Sequence, residues 1–103
     1  MQATREEEIQ ARVELDERLG LTYPMMRSFK AVGSAEESYE KAVLDAISEF
    51  VGYQVPDLLV KRRASRQGTY WTVDVGPVEV KDAKQIVDIY ARIKQDKRTK
   101  FMM

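Results

Sequence analysis

Apolar positions along this 103-residue chain repeat with two periods, helical and two-residue, and the switches between them mark out its elements. Thr4-Arg5-Glu6-Glu7 is a capping box that opens a helix, with Glu6, Glu7 and Glu8 in the first turn where the helix dipole favours them. Gly20 closes that helix. Its apolar stripe (Ile9, Val13, Leu15 and Leu19) is thin, which predicts a mostly solvated helix laid against the rest of the chain. Residues 1–20 are therefore read as an N-terminal helical extension and 21–103 as the main domain.

From Pro24 to Gly33 the period is two. Met25, Phe29 and Ala31 share one face and Ser28 and Lys30 the other, while Arg27 falls on the apolar side. Gly33 is read as a turn residue. Ser34-Ala35-Glu36-Glu37 reads as a second capping box, opening a helix that carries Tyr39, Val43, Ala46, Ile47 and Phe50 on one face and ends at Gly52. Asp57 to Ser65 reads as a second strand, with Leu58 and Val60 opposite Lys61 and Arg63. After a turn at Gly68 comes a third strand, with Trp71, Val73 and Val75 facing one way and Tyr70, Thr72 and Asp74 the other. At Gly76-Pro77 the apolar parity flips to Val78 and Val80, so the strand ends or bulges there. Asp82-Ala83-Lys84-Gln85 starts a helix that aligns Ala83, Ile86, Val87, Tyr90 and Ile93, and Lys97 to Met103 reads as a last strand.

An extra helix followed by β-α-β-β-α-β predicts an α+β, ferredoxin-like two-layer sandwich: a four-stranded antiparallel sheet with two helices on one face. The expected strand order is four, one, three, two. The expected core is Phe29, Ala31, Val43, Ile47, Phe50, Leu58, Val60, Trp71, Val73, Val75, Ile86, Val87, Tyr90 and Phe101. The uncovered sheet face would show Ser28 together with Lys30, Lys61, Arg63, Tyr70, Thr72 and Asp74, and these last six are the candidate ligand- or partner-binding residues.

Charge and composition narrow the chemistry. Seventeen Lys and Arg balance seventeen Asp and Glu, so no net field draws the chain toward nucleic acid or membrane. There is no histidine and no cysteine, which removes the commonest general base, the commonest metal ligand and every thiolate site. No catalytic residue, metal site or cofactor is assigned, and a non-enzymatic protein is expected. Asp74 and Lys30 are expected to form a cross-strand ion pair rather than a catalytic dyad. No apolar run approaches the roughly 20 residues that span a bilayer, and the N-terminus lacks a secretory signal. A cytoplasmic location is expected, or a plastid one if a transit peptide has been removed.

Tyr23-Pro24, Phe29-Lys30-Ala31-Val32-Gly33, Ser65-x-x-Gly68-x-Tyr70-x-Thr72-Val73, Tyr90 and the final Lys100-Phe101-Met102-Met103, in this order and spacing, resemble the YbeD-like family, small and mainly bacterial. Val75-Gly76-Pro77-Val78-Glu79-Val80 looks closer to its cyanobacterial and plastid members. The resemblance covers residues 21–103. It implies a ferredoxin-like fold similar to the ACT-type regulatory domains of amino-acid enzymes. It implies no activity and no catalytic residues, because the family has none established.

Three binding modes follow. A small metabolite could dock on the open face, or an anion at the helix-cap amides after Gly33-Ser34. A protein partner, or a second copy in a homodimer, could use a sheet edge or the N-terminal helix. RNA is the alternative: Gly68-Thr69-Tyr70-Trp71-Thr72-Val73 loosely echoes the basic-glycine-aromatic signature of RNA-recognition strands, and Lys61-Arg62-Arg63-Ala64-Ser65-Arg66 could follow phosphates. Against it, Thr69 stands where the first aromatic belongs, Trp71 shares core parity, and a basic edge strand also serves to prevent edge-to-edge pairing.

Overall fold

A computed structural model describes residues 4–103. Helix α1 (Arg5–Arg18) precedes β1 (Met25–Ser34), α2 (Glu37–Val51), β2 (Val60–Ala64), β3 (Tyr70–Val80), α3 (Ala83–Gln95) and β4 (Thr99–Met102). The strands form one antiparallel sheet in the order β2-β3-β1-β4, as expected for a ferredoxin-like α+β sandwich. Phe29, Ala31, Val43, Ile47, Val73, Val75, Val78, Val80, Ile86, Ile89 and Ile93 form a buried core between α2, α3 and the sheet.

Several element ends follow from single side chains. Thr4 caps α1 by accepting the Glu7 amide, and Asp82 caps α3 by accepting the Gln85 amide at 3.0 Å. The Gln85 side chain reaches back to the Lys81 amide at 2.7 Å. Helix α1 ends in a Schellman arrangement, in which the Gly20 amide donates to Glu17 and the Leu21 amide to Asp16. Gly52 ends α2 in the left-handed region.

The parity flip at Gly76-Pro77 is a bulge inside one continuous strand. Phe29 pairs with Val75 but Arg27 pairs with Val78, so β3 carries one extra residue there. Val78 and Val80 thereby return to the core side. Gly76 has φ +143, and a Cβ there would lie 2.8 Å from Ser28 Cα, so only glycine lets β1 pass this closely.

Four expectations are corrected. Asp57–Leu59 forms a 3-10 turn, so β2 begins only at Val60 and Leu58 is left 81% exposed. In β4 one extra residue, Lys100, separates the Gly33–Thr99 and Val32–Phe101 pairs. The side chains after it change faces, so Met102 packs on the core and Phe101 is exposed. Ser34 does not cap α2: it stays in β1, paired with Tyr70, and its amide donates to the Arg98 carbonyl. Glu36 is the N-cap and makes no side-chain cap hydrogen bond. Gly33 lies within a strand rather than a turn. Its missing side chain leaves room for the Tyr39 ring.

Helix α1 lies on α3. Polar contacts dominate its attachment: Arg5 pairs with the buried carboxylate of Asp88, buried Asp16 accepts the Tyr23 hydroxyl, and Arg12 sits 6.0 Å from the Tyr90 ring centroid. Burial and then the Asp16 carboxylate push the Tyr23 phenol up to about 12.

Candidate binding face on the open sheet

Alternation along the strands sends every second side chain away from the helices. Phe29, Ala31, Val73 and Val75 take the buried side, so Lys30, Thr72 and Asp74 take the open one. Register then aligns them in transverse rows. Lys61 on β2, Asp74 on β3 and Lys30 on β1 form one row, extended by Met103, whose amide donates to the Lys30 carbonyl at 2.9 Å. Arg63, Thr72, Val32 and Phe101 form the next, across all four strands. Tyr70 and Ser34 form a third, where the Lys100 ammonium lies 5.1 Å from the Tyr70 ring centroid.

The six candidate residues therefore share one face. Five of them, Lys30, Lys61, Arg63, Thr72 and Asp74, line a single depression of about 380 Å³ with Arg62 and Met103. Tyr70 stands apart from it, at the Lys100 end. Lys100, Phe101 and Val32 belong to the face but were not among the candidates. The irregular pairing of β4 hides the first two from a reading by parity.

The face is electropositive although the chain is neutral. The four strands hold six Lys and Arg against two Asp and Glu, while the three helices hold seven against eleven. Asp74 is the only acid in the three rows. It lies 3.9 Å from the Lys30 ammonium, with Lys61 paired across on its other side. Arg62 points to the helix side instead, 4.1 Å from the Trp71 ring centroid and 3.3 Å from Glu40. Trp71 is thus turned away from the open face and is no base-stacking platform there.

At the start of β4, Arg98 binds the Asp96 carboxylate and the Ser38 hydroxyl, and its guanidinium sits 5.5 Å from the Tyr39 ring centroid. Arg98 holds the Asp96 carboxyl below the usual range, and burial raises the Tyr39 phenol. Tyr39 donates to Thr99, because the Thr99 hydroxyl is already given to the Ile93 carbonyl. This network joins β4 to α2 and α3 and is structural. A second groove, about 360 Å³ between α1 and α3, is lined mainly by apolar atoms of Leu15, Val87, Tyr90 and Ala91 and gathers no set of like charges. Among the described residues no cluster of three or more metal-ligating side chains is placed to hold a metal ion, and no helix is long and apolar enough to cross a membrane.

The family described as "Protein of unknown function (DUF493)" matches residues 19–103, leaving all of α1 outside. It is the same family as the YbeD-like proteins. The solution structure of protein HP0495 from H. pylori, of that family, superposes with a TM-score of 0.60 at 16% identity, covering 81% of this chain and 85% of that one. At that identity the likeness speaks for the fold alone. No curated protein matches the chain.

Proposed function

We propose that this chain, which belongs to the DUF493 family of unknown function, is a non-enzymatic regulatory or interaction module whose open sheet face binds a small polyanionic metabolite. One observation carries the reading: Lys61 and Arg63 of β2 and Lys30 of β1 converge from either side of β3 on one depression that holds a single side-chain carboxylate, Asp74 of β3. Lys61 and Arg63 lie two residues apart along β2, about 7 Å, and Lys30 lies two strands away, about 10 Å, a spacing that suits a ligand with two or more carboxylate or phosphate groups. A depression of about 380 Å³ lies within the range of roughly 300–1,000 Å³ usual for small-molecule sites.

The test is calorimetric titration with tripolyphosphate and citrate as probes. Each charge-assisted contact contributes about 1.5–3 kcal/mol, so Lys61→Glu with Arg63→Glu should weaken binding by two orders of magnitude or more. Binding that is unchanged in that double variant would refute the reading.

RNA is a second reading, favoured by Tyr70 and Phe101 flanking the cations on the same face. It predicts that an oligouridine binds more tightly than either small anion, that affinity falls steeply with salt, and that Tyr70→Ala removes the advantage. Equal affinity for the oligouridine and tripolyphosphate leaves the metabolite reading.

A further inference from the structure

The sheet is incomplete along one side. β1 runs from Met25 to Ser34 and pairs with β3 over its whole length, but β4 pairs with it only over Ala31–Gly33, with further bonds at Lys30 and Ser34. The outer edge of Met25–Phe29, about 17 Å at roughly 3.4 Å per residue, has no strand beside it among the described residues. The direction of its polar groups follows from alternation. Lys30 gives its carbonyl to Met103 and Ser34 gives its amide to Arg98, both toward β4. Met26 and Ser28 share that parity, so their amides and carbonyls face outward at the open edge.

Two side chains say what would fit. On the helix side of this segment Arg27 is half-buried, and its Nε is buried without a hydrogen-bond partner among the described residues. An acceptor is missing there. On the open side Met26 and Met103 are 60% and 57% exposed, side by side with the gap. We infer that the Met25–Phe29 edge is a strand-acceptor site for an extended segment of a partner protein. That segment runs antiparallel to β1, in line with β4, and places a carboxylate opposite Arg27 and an apolar residue opposite Met26. A second copy fits less well, because the full-length antiparallel pairing of this segment with itself sets Arg27 against Arg27. The other sheet edge is blunted by Lys61, Arg62 and Arg63.

The register permits a direct test in the full chain. Five residues appended after Met103, Val-Thr-Glu-Val-Thr, would continue β4 along β1 and bring the glutamate opposite Arg27. A control carries lysine in place of that glutamate. Native-state amide exchange by NMR reads the outcome, with the Val73 and Val75 amides reporting that the fold is intact. The expected result is at least tenfold slower exchange at Met26 and Ser28 with the glutamate extension, a smaller effect with lysine, and loss of the difference in Arg27→Ala. Unchanged exchange at Met26 and Ser28 with the glutamate extension would overturn the acceptor site. Equal protection by both extensions would overturn the acidic preference.

Discussion

Gly33 and Tyr39 occupy space that a single methyl group would make incompatible. A Cβ on Gly33 would fall within the Tyr39 ring and 2.7 Å from the Arg98 carbonyl oxygen. Tyr39 is fully buried there, in the hydroxyl chain that runs through Thr99 to the Ile93 carbonyl. Gly33→Ala is therefore expected to lower stability by about 3 kcal/mol, the upper end of ordinary overpacking costs. Urea unfolding followed by circular dichroism checks it, and a loss below about 0.5 kcal/mol, within the range of exposed surface substitutions, would show that the ring moves aside freely.

The hold on α1 can be read through Tyr23. Its phenol is pushed up to about 12, by burial first and by the Asp16 carboxylate second. A raised folded-state value means that the proton is held more tightly when folded. The associated stability is complete below the ordinary phenol value of about 10 and is lost as pH rises from there through about 12. Ultraviolet difference titration should show this late-ionising tyrosine, and Asp16→Asn should bring it to lower pH. A tyrosine that keeps its late titration in Asp16→Asn would separate it from Asp16.

The Asp96–Arg98 pair gives the opposite sign. Arg98 holds the Asp96 carboxyl below its usual range, so the pair contributes stability above the ordinary carboxylate value and loses it as pH falls through the depressed folded-state value. Arg98→Met should flatten the acid limb of the stability profile, checked by thermal unfolding between neutral pH and pH about 3, a span that brackets the ordinary Asp value of about 3.9.

Much of this fold is legible in the residue pattern because the core is built from β-branched and aromatic residues at regular periods. Phe29, Ala31, Val73 and Val75 leave no choice about which face of the two central strands is buried, so Lys30, Thr72 and Asp74 must lie opposite. The flip from Val75 to Val78 marks the bulge for the same reason. Edges are less legible. Phe101, Met102 and Met103 are apolar in both parities, so nothing local says that Lys100 displaces the register and turns Phe101 outward. Asp57-Leu58-Leu59 could continue a strand as easily as make a 3-10 turn, and Leu59 rather than Leu58 packs against the core. Arg27 breaks the apolar pattern of β1, and nothing in the sequence says that it lies half-buried on the helix side with its Nε unpartnered among the described residues.

Asp74 acts on the proposed site from within. It is the carboxylate that a ligand anion must displace from Lys30. As a partly exposed pair it contributes at most about 1 kcal/mol to stability. Asp74→Asn should therefore leave unfolding nearly unchanged while tightening tripolyphosphate binding several-fold, read by calorimetry. Weaker binding in that variant would make Asp74 a ligand contact instead of a competitor.

The central claim is that the open face, and not another surface, receives an anion. Chemical-shift mapping during a tripolyphosphate titration tests it residue by residue. The account predicts that the largest shifts fall on Lys30, Lys61, Arg63, Thr72 and Asp74, that they saturate together, and that α1 and α3 stay still. Shifts concentrated on the helices, or spread over surface lysines without saturating, would contradict it.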